Sequence, residues 1–133
     1  MALSREVYFR RKVLYGKRAE RTLSNALNLS AALLELGQYA EAKALVQENI
    51  PQCRRALGKH HDLTLALRTN YAESLYRRQN ASRRDHCEAM SVLDDVVKIR
   101  RRGFGLHHPY TLSSLQSLEG ARMNYEDVDA LPS

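Results

Sequence analysis

Four of the five histidines stand in adjacent pairs, His60-His61 and His107-His108, and the fifth, His86, adjoins Cys87. Imidazole and thiolate are zinc ligands, so the first chemistry to weigh is a tetrahedral metal site. The spacing argues against it. His61 and His108 sit a whole repeat apart at the same place in a recurring phrase, just ahead of a helix start, where capping or inter-repeat hydrogen bonding accounts for them. No Cys-x-x-Cys spacing accompanies them, and neither metal nor another cofactor is expected. Catalysis is not expected either. The chain has no Gly-x-Ser-x-Gly, no phosphate loop and no pair of carboxylates in an apolar setting, and Gly103-Phe104-Gly105 is too short for a nucleotide fingerprint.

The elements that carry these residues are repeats. Gly16-Lys-Arg-Ala-Glu-Arg-Thr22, Gly58-Lys-His-His-Asp-Leu-Thr64 and Gly105-Leu-His-His-Pro-Tyr-Thr111 are copies of one phrase, separated by steps of 42 and 47 residues. That period belongs to units made of two helices, which bury their apolar faces by stacking on neighbours. The register extends further: Asn28 maps to Asn70 and Leu33 to Leu75 at the shorter step, then Ala42 to Ala89, Val46 to Leu93 and Ile50 to Val97 at the longer one. Five extra residues therefore lie between Leu75 and Ala89, in a polar, basic stretch suited to a lengthened loop.

The 133 residues, 44% of them hydrophobic, suffice for one domain with a sizeable core. No run approaches the roughly 18 apolar residues of a membrane span, and the N-terminus carries charge where a signal peptide needs its apolar segment, so a soluble, cytoplasmic protein is expected. Cys53 and Cys87 occupy non-equivalent repeat positions and read as reduced thiols. The formal charge of +6 favours acidic partners without itself indicating nucleic acid.

Periodicity predicts six helices: about 4–15, closed by Gly16; 20–36, closed by Gly37; 39–57, kinked near Pro51; 62–78; 85–102; and 109–124, opening on Pro109 behind a His108 cap. The second has apolar residues on more than one face, as a helix between neighbours should. The expected class is all-α, a solenoid of antiparallel helix pairs over residues 1–125 with a short flexible tail at 126–133. Both ends of such a stack leave an apolar face without an evident polar capping helix, which points to a longer array or to self-association through the terminal helices.

Leu57-Gly-Lys-His-His-Asp-Leu-Thr64 and, more closely, Gly105-Leu-His-His-Pro-Tyr-Thr111 resemble the Leu-Gly-x-x-His-Pro-x-Thr signature of kinesin light chain tetratricopeptide repeats. That family's Asn-Leu-Ala element, six residues after the Thr, is matched by Asn28-Leu-Ser30 and Asn70-Tyr-Ala72. Its Gly-x-Tyr-x-Glu-Ala turn is matched by Gly37-Gln-Tyr-Ala-Glu-Ala42. The chain departs from the pattern at Ala19-Glu20, Asp62 and Ser117, and the insertion leaves His86-Cys-Glu-Ala89 where a second Gly-x-Tyr turn would stand. The resemblance implies an adaptor or scaffold module that binds a peptide or protein segment, here an acidic one for preference, in the groove lined by the first helix of each pair.

Asparagine suits such a groove because its amide offers a peptide group both a donor and an acceptor. Counting by three and four from Asn28 places Arg21, Asn25, Ala32 and Glu35 on its face; from Asn70 the count reaches Ser74 and Arg77. Asn28, Asn70, Asn25 and Arg77 are therefore the expected groove contacts, with Ser117 in the third copy. The alternative is that the asparagines cap or bridge helices internally. A second reading, RNA or another polyanion, rests on Arg77-Arg78, Arg83-Arg84 and Lys98-Ile-Arg-Arg-Arg102. It ranks lower because the last run ends a helix, where cations are favoured anyway, and few aromatic rings lie near these runs.

Overall fold

The computed structural model describes Val7 and residues 20–130, and every element among them is an α-helix. These are α1 (Glu20–Glu35), α2 (Tyr39–Leu57), α3 (Asp62–Tyr76), α4 (Arg83–Phe104) and α5 (Pro109–Ala130). The helix expected over 4–15 and its Gly16 cap lie outside the described residues, apart from Val7, which is helical. The arrangement is an all-α, tetratricopeptide-like helical array. It divides into two compact units, Met1–Tyr71 and Ala72–Ser133.

Helix ends follow the repeated phrase. Gly58 and Gly105 adopt φ of 99° and 92°, a region that residues with a Cβ rarely enter, and each donates its N–H to the carbonyl three residues inside the preceding helix end, Arg54 and Arg101 respectively. The turn after α1 closes differently. Gln38 N–H reaches the Leu33 carbonyl at 2.9 Å and Gly37 N–H the Leu34 carbonyl at 3.1 Å, the paired bonds of a Schellman motif.

In the first unit α1 packs on α2. One cluster joins Ala26, Leu29, Leu33 and Leu34 to Ala42, with Tyr39 and Leu45 against it. A second joins Leu23 of α1, Val46 and Cys53 of α2 and Leu63 and Leu67 of α3, so three helices share one core. The apolar residues of α1 do serve more than one neighbour, although Ala31 and Leu36 are exposed. Helix α2 runs through Pro51 without a break. Proline brings no N–H to the Gln47 carbonyl, and packing of Val46, Ile50 and Cys53 on both sides holds the helix together around it.

In the second unit α4 packs on α5, with Ala89, Leu93, Val96 and Val97 buried on α4 and Leu118 and Ala121 on α5. Tyr76 is buried there too, and Gly120 faces it so closely that a Cβ at that position would stand 3.3 Å from Tyr76 Oη. Burial, reinforced by the Glu73 charge and offset by Arg77, pushes the Tyr76 phenol up to about 12.

Five boundaries differ from the sequence expectation: α1 stops at Glu35 rather than 36, α4 runs on to Phe104 rather than 102, and three more differ as follows. α3 stops at Tyr76 rather than 78. α4 begins at Arg83 rather than 85, because Ser82 and Asp85 form a capping box: the Ser82 hydroxyl accepts from Asp85 N–H at 3.1 Å, and the Asp85 carboxylate accepts from Ser82 N–H at 3.1 Å. α5 continues past Asn124 to Ala130, so its backbone is helical beyond residue 126, where the tail was expected to begin.

Candidate functional site

The residues expected to line a groove come first from α1. Asn28 is exposed, on the side of α1 opposite the Leu23 and Leu34 stripe that packs on α2. It stands on a helix whose Leu23–Leu34 side is buried against α2, which fixes the position of its backbone. Asn25, one turn earlier, is half-buried, and its Nδ2 is shielded from water without a hydrogen-bond partner among the described residues.

Asn70, the register equivalent of Asn28, is tied inward. Its Nδ2 donates to Ser30 Oγ at 2.8 Å and approaches the Leu27 carbonyl at 3.5 Å, so it bridges α3 to α1. Ser30 is fully buried and itself donates to the Leu27 carbonyl at 2.8 Å. Of the two readings of the asparagines, the internal bridge describes the Asn70 amide nitrogen. Ser30 is the residue that sequence reasoning missed; a hydroxyl in an apolar stretch is the signal that a cross-helix partner exists.

Arg77 and Ser117 belong to the second unit. The Arg77 guanidinium pairs with Glu73 one turn back at 3.7 Å, both partly exposed, while Ser117 is half-buried on α5. Glu73 was not foreseen as the partner of Arg77, although the four-residue spacing announces it.

The paired histidines resolve into caps. His61 Nδ1 accepts from Leu63 N–H at 3.1 Å and His108 Nδ1 from Tyr110 N–H at 3.1 Å, each saturating a donor in the first turn of its helix. His108 also stacks on Phe104, ring centroids 4.2 Å apart, with Tyr110 edge-on to both. His86 is buried and donates from Nδ1 to the Ser82 carbonyl at 2.9 Å. Among the described residues no three metal-ligating side chains come together.

Thr64, buried, donates to the Gly58 carbonyl at 2.8 Å and meets Cys53 Sγ at 3.2 Å. Burial raises the Cys53 thiol above its ordinary range, with the Thr64 contact opposing and the Glu20 charge adding to it, so the sulfur is a protonated core atom. One longer step along the register, Arg100 replaces Cys53. Its guanidinium is buried, donates to Ser114 Oγ at 2.8 Å and lies 5.6 Å from the centre of the Tyr110 ring. The basic runs are likewise engaged: Arg78 pairs with Asp85, and Lys98 with Asp94 at 3.0 Å.

Among the described residues no helix is long and apolar enough to cross a membrane. Residues 21–84, just under half of the chain, match the family model of the tetratricopeptide repeat, which supports a tetratricopeptide-repeat protein. A search of curated proteins found no match.

Proposed function

We propose that this chain, whose residues 21–84 match the tetratricopeptide repeat, is a non-catalytic, cytoplasmic interaction module of the kinesin light chain-like kind. It binds an extended peptide or protein segment, acidic for preference, along the outward face of α1. Tetratricopeptide repeats generally mediate protein–protein contacts. The observation that carries the reading is Asn28: an exposed amide on the one face of α1 that packing does not use. Asn25 stands one turn away and Asn70 contributes by holding α3 to α1 through Ser30. Arg77 and Ser117 are the corresponding contacts of the second unit, Ser117 occupying the register position of Asn28.

A protein partner is favoured over RNA because Arg77, Arg78 and Lys98 are already paired with carboxylates of their own unit, which shortens the basic runs. The test is titration of the purified chain with an acidic peptide library and with single-stranded RNA at low and physiological salt. Selective, salt-tolerant peptide binding is expected, weakened about five- to tenfold by Asn28→Ala at unchanged melting temperature, the worth of one or two neutral hydrogen bonds. Sequence-selective RNA retention at physiological salt would replace this reading.

A further inference from the structure

Aromatic rings are scarce along the basic runs in sequence, yet the fold gathers three at the end of one of them. Phe104 closes α4; across the Gly105 turn His108 stacks on it at 4.2 Å, and Tyr110 stands edge-on to both. Arg101 and Arg102 lie exposed in the same last turn of α4. Lys98 is paired with Asp94, but these two meet no carboxylate among the described residues. From Val96 to Leu118 the chain has no Asp or Glu at all.

The preceding copy supplies an internal comparison. Its connection carries the same two cations, Arg54 and Arg55, exposed in the last turn of α2. Its apolar residues differ, for Leu57 stands where the third copy has Phe104, and Leu63 where it has Tyr110. Leu63 is 8% exposed, in a core with Cys53 and Leu67. Arg100 and Ser114 take the places of those two, bonded to each other at 2.8 Å, so the apolar seat for residue 110 is gone. Tyr110 lies outside, its ring 5.6 Å from the Arg100 guanidinium, and is 49% exposed; Phe104 is 40% exposed where Leu57 is half-buried.

Cations alone suit any acidic partner, and both connections have them. What the third copy adds is exposed ring surface, whose negative face attracts no carboxylate but gives a nucleobase something to stack on. We propose that the α4–α5 connection binds single-stranded nucleic acid, with bases stacked on Phe104 and Tyr110 and phosphates paired with Arg101 and Arg102. Binding of this kind tolerates sequence and weakens with salt, unlike the peptide binding proposed for the α1 face, and does not depend on it.

The test is fluorescence anisotropy of a labelled oligouridine of about 12 nucleotides, titrated with the whole chain across a salt series. Saturable binding is expected at low salt. Phe104→Leu combined with Tyr110→Leu, which installs the residues of the preceding copy, should weaken it about tenfold or more with helicity retained, while Phe104→Tyr should keep it. Arg101→Gln with Arg102→Gln should lower the log–log salt slope by about 1.4, at roughly 0.7 per phosphate contact on a single strand, and Arg54→Gln with Arg55→Gln should leave it unchanged. Asn28→Ala should not alter oligouridine binding, which keeps this result separate from the peptide reading. No binding at low salt, equal losses from the two arginine pairs, or a polyglutamate peptide that binds as tightly as the oligouridine and is indifferent to the ring replacements would overturn the proposal.

Discussion

Asn70 holds Ser30 across the α1–α3 boundary, amide nitrogen to hydroxyl at 2.8 Å. Its register equivalent, Asn28, is exposed, so one repeated residue type serves two physical roles. Asn70→Ala is expected to cost about 1 kcal/mol in urea denaturation, since Ser30 keeps its own bond to the Leu27 carbonyl and is not left orphaned. Asn28→Ala should stay within about 0.5 kcal/mol of the parent. Equal losses at both positions would make Asn28 structural as well.

The histidine caps predict a matched pair of effects. His61→Ala and His108→Ala each remove a first-turn acceptor and should each destabilise by about 1 kcal/mol, whereas His61→Asn and His108→Asn should retain most of that stability. His108→Ala has an added cost through loss of the Phe104 stack, so it should exceed His61→Ala in thermal melts.

Gly120 is a helical glycine, and replacing it by alanine would ordinarily gain up to about 1 kcal/mol in propensity. Here the new methyl meets Tyr76 Oη, and Tyr76 is held by its own burial, so no gain is expected. In a Tyr76→Phe background, which removes the hydroxyl, Gly120→Ala should recover the propensity term. A double-mutant cycle by chemical denaturation measures that coupling, and additive effects would show that the contact imposes no strain.

Asp85 sets the acid response of α4. Partial desolvation works to raise its carboxyl, but the Arg78 guanidinium and the Ser82 N–H and hydroxyl together hold it below the ordinary carboxylate value. A lowered folded value means that the contribution is fully present above about pH 3.9 and is lost as pH falls through the lowered value. Asp85→Asn should therefore lower the neutral-pH melting temperature and flatten the acid limb of the stability profile. An unchanged limb would mean that Asp85 titrates alike in the folded and unfolded chain.

The helices of residues 20–130, the glycine-terminated ends at Gly37, Gly58 and Gly105 and the histidine caps were legible because each is a local matter: a positive-φ turn, an acceptor just ahead of a first turn, a recurring phrase. The Asn70 bridge was not, since it depends on Ser30 some forty residues away, and only packing brings α3 beside α1. The start of α4 was missed although Ser82 and Asp85 spell its capping box, because the basic residues around them read as loop. The ring cluster after α4 was partly available by carrying the register from Leu57 and Leu63 to Phe104 and Tyr110. It went unread because the rings follow the basic run rather than interleave with it, and only the turn at Gly105 closes His108 and Tyr110 onto Phe104.

The capping box of α4 also makes the preceding connection a place where the chain tolerates variation in length. The first turn of α4 is specified by the Ser82–Asp85 capping box, not by how many residues arrive before it. Gln79 and Asn80 are exposed and lie outside both flanking helices. An epitope, a fluorophore-bearing segment or a second binding peptide inserted between them would give up the Arg78–Asp85 pair and the Ala81 N–H bond to the Arg78 carbonyl and add about 0.6 kcal/mol of loop-closure entropy for each doubling of the connection, while the Ser82–Asp85 capping box still starts α4 at the same residue.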